Sequence, residues 1–140
     1  MILKKIINDY KNKQFILFIW AGGFAALVNY FSRFIFSLFV TFGMAVILAY
    51  ITGMITAFVL NKLFVFKNSI HDTKRQFLYF SLVNILAIIQ TYIISVGLVY
   101  YIFPYYKINY FSEAIAHAIG VIFPVFTSFL GHKYLSFKSN

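Results

Sequence analysis

The chain has no cysteine, only two prolines and only three acidic residues in 140. Without cysteine there can be no disulfide and no thiolate metal site. Its carboxylates are Asp9, Asp72 and Glu113. None of them falls deep inside an apolar run, where a proton-coupled drug antiporter would be expected to hold one, and no two form an acid–base pair. His71, His117 and His132 lack metal-ligand spacing. A Gly-rich phosphate loop and a nucleophile elbow are absent as well. No metal, no cofactor and no enzyme acting alone are expected.

Apolar sequence is what the chain has in abundance: 62% of its residues are hydrophobic and 22% aromatic. Stretches 14–32, 34–61, 76–106 and 114–132 contain no Lys, Arg, Asp or Glu. A bilayer core of about 30 Å takes about 20 apolar residues per helix. An all-α integral membrane protein is expected, with transmembrane helices at about 14–36, 44–64, 76–103 and 113–134 in one domain spanning 1–140. The first apolar segment follows a basic start, as a signal peptide would. It lacks a small-residue cleavage site, so it is expected to be retained.

The net charge of +9 would suggest nucleic acid in a soluble protein, but its distribution follows the spans. Lys4, Lys5, Lys11 and Lys13 precede the first, Lys62, Lys67, Lys74 and Arg75 separate the second from the third, and Lys133 and Lys138 follow the fourth. Only Arg33 and Lys107 remain for the other side. The positive-inside bias places both termini and the 67–76 loop in the cytoplasm. The aromatic-rich segment 100–111, with Pro104 ending the third helix, then sits at the outer headgroup level, as an interface belt or a sugar-stacking platform.

Compared with itself, the chain shows a repeat. Lys13-Gln-Phe-Ile-Leu-Phe18 resembles Arg75-Gln-Phe-Leu-Tyr-Phe80, and Asn61-Lys-Leu-Phe-Val-Phe-Lys67 resembles His132-Lys-Tyr-Leu-Ser-Phe-Lys138. Both hairpins start and end on the same side, so the repeat is parallel. Its register aligns Gly53 with Pro124, and Pro124 cannot donate to the carbonyl of Gly120. Paired Gly/Pro weak points can mark hinges at a transport site or serve close packing.

Polar and small residues fall on shared helix faces. Gly22, Ala26, Asn29 and Arg33 share one, and Ala45, Ala49, Thr52 and Thr56 another. Ser81, Asn84, Thr91 and Ser95 form a third, with Gln90 displaced from it. His117, Gly120, Pro124, Thr127 and Gly131 form the fourth. Such faces serve either helix packing or a polar seam, here Asn29, Asn84, Gln90, Thr56 and Thr127, through which a hydrophilic headgroup passes. Arg33 lies about 30 Å along the helix from the inner surface, where it can snorkel or meet a lipid phosphate.

The segment Asn61-Lys-Leu-Phe-Val-Phe66, with Phe15, Gly22-Gly23 and His132-Lys-Tyr-Leu-Ser-Phe137, resembles the GtrA-like family of small four-helix membrane proteins. The second copy carries His132 where the first has Asn61. The resemblance implies cell-surface polysaccharide or teichoic acid glycosylation at a bacterial cytoplasmic membrane. The implied role is flippase-type movement of a polyprenyl-phosphate-linked sugar between leaflets. On that reading Lys62 and Lys133 attract the phosphate, Asn61 and His132 bond to it or to sugar hydroxyls, Arg75 captures early and Arg33 releases. The alternatives are a non-transporting anchor or activator of a membrane glycosyltransferase and, from a third class, a small channel or exporter. The expected partners are the lipid-linked sugar, membrane lipids, a membrane glycosyltransferase and further copies of the chain.

Overall fold

A computed structural model of the chain is all-helical, with no strand among the described residues. The backbone is described from Met1 to Asn140, as are all side chains except those of Phe42, Gly43, Val46, Tyr92, Ser95, Glu113, Ala114, His117, Ala118 and Val121. Of the polar positions singled out above, Ser95, Glu113 and His117 thus lie outside the described side chains. The chain divides into two compact units, Met1–Asn68 and Ser69–Asn140, and each is a helical hairpin.

In the first unit, α1 (Ile2–Lys11) stops at Asn12, whose extended backbone breaks the helix. The Asn12 side chain accepts from the Phe15 N–H at 3.1 Å and so caps α2 (Lys13–Phe36), satisfying one orphan donor of its first turn. After a short reversal, α3 (Phe42–Leu60) returns beside α2. The buried face of α2 runs through Phe15, Phe18, Ala21 and Ala25, at helical spacing. Opposite it, Ala45 and Ala49 of α3 are wholly buried. In lipid there is no hydrophobic drive between helices, so association rests on close van der Waals contact, and small residues permit it.

Gly53 is where that closeness is most demanding. A Cβ there would lie 2.7 Å from Asn29 Cβ and 3.2 Å from the Ala25 carbonyl oxygen. Gly22 and Gly23 behave differently: a Cβ at either would meet nothing within 4 Å. The face that α2 turns to α3 is thus displaced from the Gly22/Ala26 side, and Gly22, Gly23 and Ala26 are exposed.

In the second unit, α4 (Thr73–Gly97) passes into a π-turn, Leu98–Ile102, and the short α5 (Phe103–Tyr105), with Pro104 in its first turn. The connection takes left-handed backbone at Lys107 and Phe111 before α6 (Ser112–Gly131). Gln76, Phe80 and Val83 form the buried side of α4, while Gly120, Pro124 and Phe129 are buried on α6. Helix α6 continues through Pro124. Among the described residues, Lys13–Phe36 and Ile47–Val65 are long and apolar enough to cross a membrane.

The packing gives a stability test. Gly53→Val should destabilise the first unit by about 1–3 kcal/mol, the usual cost of over-packing. Gly22→Ala should leave stability unchanged or slightly raised, because alanine is the better helix former and has open space. Thermal unfolding of the detergent-solubilised variants distinguishes the two positions.

Candidate functional site

Each hairpin ends in the same unusual way. After Leu60 and after Gly131 the helix widens from i→i+4 to i→i+5 bonding, giving π-turns at Asn61–Val65 and His132–Ser136. The Phe66 N–H donates to the Asn61 carbonyl at 2.7 Å, and the Phe137 N–H donates to the His132 carbonyl at 2.8 Å. Single π-turns inside helices are rare and recur at functional sites. The same aromatic contact closes each one. Phe18 meets Phe66 at 6.4 Å and 60°, and Phe80 meets Phe137 at 6.0 Å and 65°. Local geometry therefore repeats where the sequence repeats.

Inside this shared frame the two polar residues are handled differently. Asn61 is 1% exposed. Its Nδ2 donates to the Ala57 carbonyl at 2.7 Å, while Oδ1 has no partner. A buried amide oxygen without a donor costs about 1–3 kcal/mol. His132 is as deeply buried but satisfied. Its Nδ1 shares a hydrogen bond with Ser136 Oγ at 3.0 Å, and its ring stacks on Phe80 at 4.3 Å and 17°. The residue at the place of Ser136 in the first turn is Val65, and that at the place of Phe80 is Phe18. The first turn thus keeps the phenylalanine but lacks the hydroxyl that bonds the polar side chain of the second.

Cations flank both turns. Lys62 and Lys133 are half-buried, and the Lys133 ammonium lies 5.9 Å from the centre of the Phe129 ring. Arg75 is exposed at the start of α4. Arg33 lies at the end of α2 away from Lys13, its guanidinium 4.2 Å from the Phe34 ring, a contact that aromatic faces offer to cations. Beside the first turn, Leu17, Trp20, Ala21, Phe24, Leu60 and Phe64 line an apolar pocket of about 310 Å³.

The residues of the expected seam mostly bond within their own helices. Thr56 Oγ1 donates to the Thr52 carbonyl at 2.8 Å, and Asn84 Nδ2 to the Phe80 carbonyl at 2.8 Å. Asn29 packs where Gly53 leaves space. Gln90 and Thr127 meet across α4 and α6, with Thr127 Oγ1 donating to Gln90 Oε1 at 2.7 Å. Gln90 stands off the polar stripe of α4 but seven residues beyond Val83 on the packing face, which is why it reaches Thr127.

Several supporting residues escaped the sequence reading of the site. Gln14 Nε2 donates to the Val65 carbonyl at 3.0 Å, tying the start of α2 to the first π-turn. Gln76, its counterpart in the repeat, donates to the His71 carbonyl at 2.7 Å and keeps an unpartnered Oε1. Ser136 and Phe80 hold His132. The repeated Lys/Arg-Gln-Phe opening was the available signal for the two glutamines: Gln14 reaches the first π-turn, whereas Gln76 bonds to the segment before its own helix.

Ser136→Ala should therefore lower the stability of the second unit by about 1–3 kcal/mol, since it removes the hydrogen bond made by the buried His132 Nδ1. Val65→Ala at the equivalent place strands no polar group and should cost less than that. Thermal unfolding in detergent, compared between the two variants, reads the difference.

Comparison with known families gives a match. The family model described as "GtrA/DPMS, transmembrane domain" covers residues 17–137, a span that takes in the π-turns at Asn61–Val65 and His132–Ser136. Searches of curated proteins and of solved structures gave no match. With its apolar helices, the matched domain marks this as a membrane protein, and the chain belongs to the GtrA/DPMS transmembrane-domain family.

Proposed function

We propose that the protein is a flippase-type translocator. On this reading it moves a polyprenyl-phosphate-linked monosaccharide from the cytoplasmic to the outer leaflet of a bacterial cytoplasmic membrane, for glycosylation of a cell-surface polysaccharide or teichoic acid. Helices α2, α3, α4 and α6 cross the bilayer, with both termini and the 67–76 loop inside, and the chain works as a homo-oligomer without cofactor or catalysis of its own. Family membership and the one-sided distribution of lysine support this reading.

The observation that carries it is the unpartnered Oδ1 of Asn61 beside Lys62. The polyprenyl tail stays in lipid, whereas the phosphate and sugar cannot cross hydrocarbon unaided. Lys62 supplies a cation for the phosphate. One N–H of the Asn61 amide already donates to Ala57, and the atom with no partner is the acceptor Oδ1, whose complement is a sugar hydroxyl. Access requires the π-turn to relax, and a return from i→i+5 to i→i+4 closure would re-aim Asn61. In the second turn His132 is held by Ser136 and Phe80, so Lys133 acts there as a cation alone.

A second reading, an anchor or activator of a membrane glycosyltransferase, is favoured by one observation. Gly22 and Gly23 are exposed with open space before them, a surface on which a partner helix could pack.

Cysteine accessibility and polymer-bound sugar test the proposal. A single cysteine at Ser69 should resist an impermeant thiol reagent added outside intact cells and react once the membrane is opened. Asn61→Leu removes a buried polar atom with no partner, so protein stability should hold or rise by about 1–3 kcal/mol, while polymer-bound sugar falls. Lys62→Ala should also lower polymer-bound sugar, and Lys62→Arg should retain part of it. The measurement is polymer-bound sugar set beside membrane-fraction abundance. Normal sugar content in the Asn61→Leu strain would remove Asn61 from the site.

A further inference from the structure

The helix α1, Ile2–Lys11, is divided lengthwise. At 100° per residue, Ile2, Leu3, Ile6, Ile7 and Tyr10 occupy one continuous arc, and Lys4, Lys5, Asn8, Asp9 and Lys11 the other, with no residue out of place. The side of the helix that runs through Asp9, Ile6 and Tyr10 is turned to the protein. Asp9 is buried and Tyr10 half-buried, and the Tyr10 ring meets Phe15 of α2 edge-on at 5.1 Å and 72°. The rest of the apolar arc is open, with Ile2 76% and Leu3 70% exposed and Ile7 exposed as well.

We propose that α1 lies in the plane of the membrane interface, its apolar arc among the upper acyl segments and its lysines against anionic lipid headgroups. Three observations select that occupant. The composition, an uninterrupted apolar arc beside a basic one, is that of helices which lie on a membrane rather than cross it. The position follows from the joint at Asn12, since α2 begins one residue later and is itself apolar enough to span. The start of α2, and with it α1, is therefore at headgroup depth. Charge decides between the membrane and a second copy of the chain. A second copy would bring the same basic arc and no acidic surface to Lys4, Lys5, Lys11 and Lys13, whereas an anionic lipid layer complements them.

The arrangement has a consequence for the first π-turn. Gln14, two residues after the joint, is bonded to the Val65 carbonyl, so α1 departs from the part of α2 that touches this turn. Anionic headgroups gathered by α1 accumulate beside Asn61 and Lys62. The inference rests on the chain being a membrane protein and does not depend on what it transports.

The native chain has no cysteine, so the test uses the full-length protein with single cysteines at Leu3, Ile7 or Asn8. Each carries an environment-sensitive fluorophore in vesicles of phosphatidylcholine alone or mixed with phosphatidylglycerol. Labels at Leu3 and Ile7 should shift to the blue and be quenched by nitroxides placed high on the acyl chains, while the label at Asn8 should stay accessible to an aqueous quencher. Acyl-chain quenching at Leu3 should be stronger with phosphatidylglycerol. It should weaken with added salt and in the K4Q/K5Q/K11Q variant. Equal aqueous quenching at all three sites would overturn the proposal. So would shielding of Leu3 that ignores lipid composition and accompanies cross-linking between copies through that cysteine, because a second chain would then be the occupant.

Discussion

Hydrocarbon offers no hydrogen bonds, and this one constraint orders the structure. Every polar group in a helix that crosses a membrane must be satisfied by the protein itself. The hydroxyls of Thr52 and Thr56 accordingly turn back to the carbonyls four residues earlier, as do the amide nitrogens of Asn61 and Asn84. Bonds of this kind leave little to hold helices together, so adhesion falls to shape. Ala45, Ala49 and Gly53 bring α3 against α2 closely enough that a single methyl group at Gly53 would collide with Asn29. Against so thorough a satisfaction of polar atoms, the two exceptions among the described residues, Asn61 Oδ1 and Gln76 Oε1, stand out. Both lie at positions matched by the repeat.

The repeat is informative because its copies have diverged at one place. The backbone of the two π-turns closes alike, with Phe66 and Phe137 donating across five residues and each touching the equivalent aromatic of the preceding long helix. A common frame then carries different side chains. His132 has acquired a serine on one side and a stacking phenylalanine on the other. At the equivalent positions Asn61 has Val65 in place of the serine, while Phe18 stands in place of the phenylalanine. One turn is closed by its own residues, and the other holds an acceptor without a donor. On the proposed reading the hairpins divide the work, the second giving rigidity and a cation, the first receiving the headgroup.

Much of this was legible from residues alone. All-helical architecture followed from the long uncharged runs, and the family was visible in the Asn61–Phe66 segment before any fold was seen. The faces of α3 were read well because small residues on a helix have few uses besides close approach. The face of α2 was read one step off. Gly22 and Ala26 looked like the packing side, but Phe15, Phe18, Ala21 and Ala25 are buried, since large aromatics can pack as readily as small residues when the partner helix is itself small. Helix α1 was hidden for a similar reason: its lysines read as topology signals, and the apolar arc between them shows only once residues 2–11 are placed on a helix. The π-turns could not be foreseen, because a one-residue change in backbone closure leaves no mark in composition or periodicity.

The central claim is transport, and reconstitution tests it most directly. The purified chain would be placed in liposomes whose inner and outer leaflets carry a polyprenyl-phosphate sugar with a fluorescent label, and an impermeant reagent that destroys the label would be added outside. Without transport the inner-leaflet fraction survives. The account predicts that the signal falls beyond the outer-leaflet share when the native chain is present, and that Asn61→Leu, though equally incorporated, slows the fall. A protected inner pool that persists with the native chain, at densities where every liposome holds several copies, would contradict transport and leave the accessory role in its place.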